Sequence, residues 1–150
     1  MAFYLGIWHK DYLNRLEEKL LANPEVRKKY EVINSNRRRL YLPQWKGIKR
    51  REILSNPDIL VVKKENNDIA YLFEVESTVN YKKIVGIALL TDLAMMKMHV
   101  KNRPKLFLLT RTAFPNSEFI EKEIKKYVKN TEFALCKCED FESALNSLVI

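Results

Sequence analysis

Three carboxylates stand at spacings suited to a divalent cation. Asp58 follows Asn56-Pro57, and Glu74 and Glu76 close the run Phe73-Glu74-Val75-Glu76-Ser77. Residues two apart on a strand project from one face, so Glu74 and Glu76 point together while Phe73 and Val75 turn into packing. Asp58 comes beside them if the segments flanking Asn66-Asn67 form a roughly symmetric hairpin. Carboxylates gathered at a sheet end are costly until something neutralises them. A hard cation does so, and Mg²⁺ takes one or two carboxylates together with phosphate oxygens. The matching chemistry is phosphodiester hydrolysis, in which the metal activates water and offsets charge on the scissile phosphate. The plainer reading makes these acids surface residues of an ordinary hairpin, paired with nearby lysines.

The elements that must position these residues can be read from the hydrophobic pattern. Asp11 is a plausible N-cap for a first helix with a stripe of Leu13, Leu16, Leu20 and Leu21, which Asn23-Pro24 interrupts or ends. Tyr30 to Leu42 is a strand or hairpin around an arginine triplet. Asp58 to Lys63 and Ile69 to Glu76 are strands joined by the turn from Lys64 to Asp68. A helix from about Tyr81 to Val100 is apolar on nearly every side, which predicts a central, buried element. Lys105 to Thr110 is a further strand. Asn116 or Ser117 caps an amphipathic helix, and Phe133 to Cys138 is a last strand. Asp140 caps a short terminal helix. A hairpin followed by helix–strand alternation predicts an α/β fold with a mixed sheet, flanked by helices on both faces. The 150 residues suit one domain with one core.

Three glycines argue against a glycine-rich phosphate loop. No membrane-spanning or signal-like segment is visible, and Cys136 and Cys138 make no disulfide framework, so the expected setting is the reducing cytoplasm. His9 and His99 form no zinc spacing with them. The net charge of +8 is local. Ten basic residues lie between Arg27 and Arg51, against the single acid Glu31. Within that block Arg37, Arg38, Arg39, Lys46, Lys49, Arg50 and Arg51 are the candidate contacts to an anionic polymer. A solvated basic face is the alternative. Trp8 and Trp45 are candidates for base stacking or for core, and Met95, Met96 and Met98 for core filling.

Pro57-Asp58, fifteen residues, then Glu74-Val75-Glu76 resembles the PD-(D/E)xK motif of restriction-endonuclease-like nucleases. The order of elements resembles that superfamily's core over most of the chain. Phe73-Glu74-Val75-Glu76-Ser77-Thr78, followed by Gly86 and Asp92-Leu93, resembles a subset of restriction-type proteins with glutamate where the motif has lysine. The resemblance implies that Asp58 and Glu74 hold Mg²⁺ or Mn²⁺ and that Glu76 stands at the lysine position. There lysine orients the attacking water and stabilises the charged transition state. Glu76 would act instead as general base or added ligand. Lys82 or Lys83, at the start of the next helix, would supply the displaced positive charge. A further acid from the first helix, Glu17 or Glu18, is also implied.

The expectation is therefore a metal-dependent endonuclease acting on double-stranded DNA, with a twofold duplex suited to a homodimer. The alternative is a non-catalytic nucleic-acid-binding or scaffold module on the same fold. A small-molecule binder is a weaker third reading, disfavoured by the basic block and the lack of a glycine-rich turn. If the block carries nucleic-acid binding, affinity will drop steeply with salt as counterions are released. Replacing Arg37, Arg38 and Arg39 together by glutamine should then flatten the salt dependence, measured by fluorescence anisotropy. An unchanged slope would make the block a solvated face.

Overall fold

The computed structural model describes residues 2–37, 56–78 and 80–145. Of the basic block, Arg38, Arg39, Lys46, Lys49, Arg50 and Arg51 lie outside the described residues, as does Trp45. Two helices lead in, α1 (Ala2–Leu21) and α2 (Pro24–Lys29), followed by β1 (Tyr30–Asn34), β2 (Ile59–Lys63) and β3 (Ile69–Glu76). Then come α3 (Tyr81–Lys97), β4 (Lys105–Thr110), α4 (Ser117–Tyr127), β5 (Glu132–Lys137) and α5 (Cys138–Ala144). The five strands stand in the sheet in chain order. β1, β2 and β3 are antiparallel neighbours, whereas β4 and β5 run parallel to β3. Each parallel step crosses through a helix, as a parallel connection requires.

The sheet is a two-sided partition. Leu60, Leu72, Leu106 and Leu108 face Ile84, Ala88 and Met95 of α3 and Ile124 of α4. Their strand neighbours Ile59, Val61, Phe73, Val75 and Leu109 face Tyr12, Leu13, Leu16 and Leu20 of α1 and Phe141 of α5. This two-faced burial explains the near-continuous apolar runs of β2 and β4. The mixed sheet covered on both faces agrees with the sequence expectation.

Three local expectations need correction. The first helix begins at Ala2, so Asp11 lies inside it rather than at its start. Asp140 sits in the first turn of α5, whose N-cap is Lys137. The third helix is not buried all round: Leu89, Leu90, Leu93 and Met96 are 39%, 47%, 44% and 53% exposed. The sheet covers one side of α3 only, and apolar composition alone could not reveal that. Asn23, by contrast, stops α1 and caps α2, accepting from the Glu25 amide with Pro24 in the first turn.

Asp92 on α3 is buried, and it organises the loop between α4 and β5. It accepts from the backbone amides of Lys129 and Asn130, from Asn130 Nδ2, and from Thr131 Oγ1 at 2.9 Å. Thr131 is itself fully buried. Removing the carboxylate strands the buried Thr131 hydroxyl and three part-buried donors at once. Asp92→Ala is therefore expected to cost about 3 kcal/mol. Urea denaturation should show a lower midpoint at unchanged m-value, and an unaltered midpoint would refute this role.

Candidate metal and catalytic site

Pro57 is buried and has no N–H, so the β2 ladder cannot continue regularly past it. Asp58 completes the edge in another way. Its amide donates to the Phe73 carbonyl at 3.0 Å, and its carbonyl accepts from the Ser35 amide at 2.9 Å. Its side chain then substitutes for main chain, with Oδ2 accepting from the Val75 amide at 2.8 Å. The same oxygen meets His9 Nε2 of α1 at 3.2 Å. The carboxylate orientation is thus set by β3 and α1 together.

Glu74 comes level with it in the β2–β3 register. The alternation of β3 puts Glu74 and Glu76 on the α3 face, since Phe73 and Val75 pack against α1 and α5. Burial raises the Glu74 carboxyl well above the ordinary carboxylate range. The Asp58 charge, the Glu76 charge and a hydrogen bond with Asp58 add to that, and Lys83 opposes it. Carboxylates brought together in a buried setting repel one another, which favours the neutral form of the more buried one.

Glu76 has its own cation. Lys83 Nζ stands 2.8 Å from Glu76 Oε2. Its place is set by the start of α3, where Asn80 Oδ1 accepts from the Lys83 amide at 2.8 Å. Lys82 is exposed. Gly86 has open space where a side chain would project, so packing within the described residues does not require it. The acids of α1 are engaged elsewhere: Glu17 and Glu18 each pair with Arg37 at 3.1 Å, and buried Asn34 lies against Glu17. The one described arginine of the 37–39 triplet is therefore committed to ion pairs.

No family model, curated protein or solved structure matches the chain.

Three neighbours of the cluster had been missed. The His9 imidazole is pushed above its ordinary value by its hydrogen bond to Asp58, against the opposing effect of burial, with the Asp58 charge, the Val75 backbone and the Glu76 charge helping. It shares the helical stripe of Leu13, Leu16 and Leu20, a signal hidden once the helix was begun at Asp11. Asn80 is a plain capping signal immediately before α3. Arg111 donates its amide to the Glu76 carbonyl at 3.0 Å and lays its guanidinium over the Trp8 ring at 5.1 Å. Trp8 also stacks on Tyr12 at 5.5 Å, so the ring is held between core and surface.

Asp58 and Glu74 supply hard oxygen donors that suit Mg²⁺ or Mn²⁺. Among the described residues no group of three or more His, Cys, Asp or Glu side chains is arranged to hold a metal.

The raised Glu74 value has a definite thermodynamic sign. The folded chain keeps a proton at a pH where the unfolded chain has released it. That contribution is complete below the unfolded carboxyl value and is lost as pH rises through the raised folded value. Without divalent cation, thermal midpoints should fall across that window, and Glu74→Gln should be more stable than wild type at the alkaline end with a shallower decline. Parallel curves for the two proteins would show that Glu74 is ionised in the folded chain.

Proposed function

We propose that this chain is a metal-dependent nuclease of the PD-(D/E)xK type, hydrolysing phosphodiester bonds of DNA. The observation that carries the reading is the β2–β3 register, which brings Asp58 level with Glu74, beside a Glu76–Lys83 ion pair. Asp58 and Glu74 are the residues that would hold Mg²⁺ or Mn²⁺. When bound, the metal supplies an activated water and offsets charge on the phosphate. Cation binding would also favour the ionised form of Glu74.

Lys83 fills the role left open by glutamate at the motif's lysine position. Its ammonium reaches the cluster from α3 rather than from β3, and Glu76 holds it there. In this arrangement Lys83 orients the attacking water and stabilises developing negative charge, and Glu76 positions Lys83. His9 and the Val75 amide fix the Asp58 carboxylate, as hydrogen-bonded partners of ligating groups commonly do. Arg111, beside Glu76 at the carboxyl end of β4, is placed to meet a phosphate of the substrate.

The second reading, a nucleic-acid-binding module without catalysis, is favoured by one feature. The Glu76–Lys83 pair neutralises two groups that an active site would use. Incubation of the purified protein with supercoiled, linear and branched DNA separates the two readings. Cleavage should need Mg²⁺ or Mn²⁺ and stop in EDTA. Asp58→Asn and Glu74→Gln should each lower it about 100-fold or more while DNA binding persists. Lys83→Met should be comparably damaged, with Lys82→Met near wild type. Glu76→Gln should keep more activity than Lys83→Met if Glu76 only positions the lysine. Absence of cleavage of every DNA form, or cleavage that survives EDTA, would remove the nuclease assignment.

A further inference from the structure

The sheet end opposite the carboxylates is built differently. On the face packed against α1, that helix keeps to the carboxylate end: His9 meets Asp58, Trp8 meets Arg111, and Tyr12 donates to the Cys138 carbonyl. At the amino ends of β3 and β4 the same face carries Tyr71 and Lys105, register partners on adjacent strands. Tyr30 of β1 and Lys63 of β2, partners across the antiparallel edge, continue the row. All four side chains are half-buried. With Arg103 and Glu132 they line an open recess of about 400 Å³.

The lining combines aromatic rings with cations. Tyr30 meets Tyr71 edge-on at 6.2 Å, and Tyr71 stacks toward Phe107 at 6.2 Å. Lys105 Nζ lies 4.9 Å from the Phe107 ring centre. Arg103 holds a left-handed backbone, with φ 41°, immediately before Pro104. Such a conformation is costly outside glycine. Arg103 Nη2 donates to the Thr131 carbonyl at 3.2 Å, which keeps the residue against the strand ends. Lys63, Arg103 and Lys105 outnumber Glu132, and the basic turn Arg27, Lys28 and Lys29 of α2 runs directly into Tyr30.

We propose that this recess is a stacking site for a base of a single-stranded nucleic acid, with Lys63, Arg103 and Lys105 on the adjoining phosphates. Half-buried tyrosines on an open sheet face give a base a π-surface and exclude water from one side of it. Cations spaced around the rings match the charge that accompanies every base of a strand. A purely apolar ligand would leave those cations unused, and a single carboxylate does not make a metal site. A duplex is a poor fit, since its bases are stacked on one another and cannot reach rings set within a recess. Along β3 the carboxylates Glu74 and Glu76 lie three and five residues on from Tyr71, about 10 and 17 Å, and project from the opposite face. The site stands whether or not that cluster cleaves.

The test is fluorescence anisotropy of a labelled oligothymidylate of about 15 nucleotides, titrated with the full chain in EDTA so that cleavage plays no part. Binding should weaken about tenfold or more in Tyr71→Ala and stay near wild type in Tyr71→Phe. Lys63→Gln combined with Lys105→Gln should also weaken it, and should shallow the log–log salt slope by about 1.4. Glu132→Gln should bind tighter. Circular dichroism of Tyr71→Ala checks that it folds, and the surface lysine pair tests the site independently of that result. No binding by wild type, or wild-type affinity in both Tyr71→Ala and the double lysine variant, would overturn the proposal. So would an unlabelled duplex that competes as well as the single strand, or thymidine monophosphate that displaces the oligomer at equal concentration.

Discussion

At the Pro57 end of β2 the carboxylate of Asp58 accepts the Val75 amide and adds one bond to the β2–β3 ladder. This single hydrogen bond joins fold and site. It pins the end of β2 against β3, so the register that buries Ile59 opposite Phe73 also brings Asp58 level with Glu74. A one-residue slip would turn Glu74 and Glu76 toward α1 and Phe73 toward α3. The bond also holds Oδ2 between main chain and His9, so repulsion from Glu74 cannot simply swing Asp58 away. Burial, followed by the Asp58 and Glu76 charges, raises the Glu74 carboxyl in that setting.

Much of this was legible from residue types alone. The hairpin around Asn66-Asn67, the parity of Glu74 and Glu76, and the alternation of later helices and strands all rest on short-range periodicity, and the model reproduces them. The errors share a different origin. A helix start without a capping residue leaves no local mark, so α1 was begun at Asp11 and His9 fell outside it. The exposed side of α3 depends on what packs there, which composition does not encode. The choice between Lys82 and Lys83 turned on the phase of α3 relative to β3. Only the Asn80 cap and the distance to Glu76 resolve it, in favour of Lys83 as the lysine next to the cluster.

Charge is arranged along the strands as well as along the chain. At the carboxyl ends of β3 and β4 acids gather, with Lys83 and Arg111 as neighbours. At the amino ends lysines and an arginine surround tyrosine rings, with Glu132 as their counterpart. The two ends of the sheet thus differ in the groups they present: carboxylates with paired cations at one, tyrosines among cations at the other. Arg37 adds no free cation to either end, because Glu17 and Glu18 consume its charge. An arginine-rich run in a sequence therefore overstates the free positive potential of the folded chain.

The order of strands in the sheet, identical to their order in the chain, bears on how the molecule assembles. Each strand that emerges docks on the edge formed just before it, so the closure of long loops is spread over small steps. The β2–β3 hairpin joins Asp58 to Glu74 across only fifteen intervening residues. Their electrostatic conflict thus arises early, before β5 and α5 exist to complete the core on the α1 side. Neutralising either carboxylate would relieve that conflict. Acidity or a divalent ion would accordingly act as a folding aid, lowering the barrier to hairpin formation as well as stabilising the finished protein.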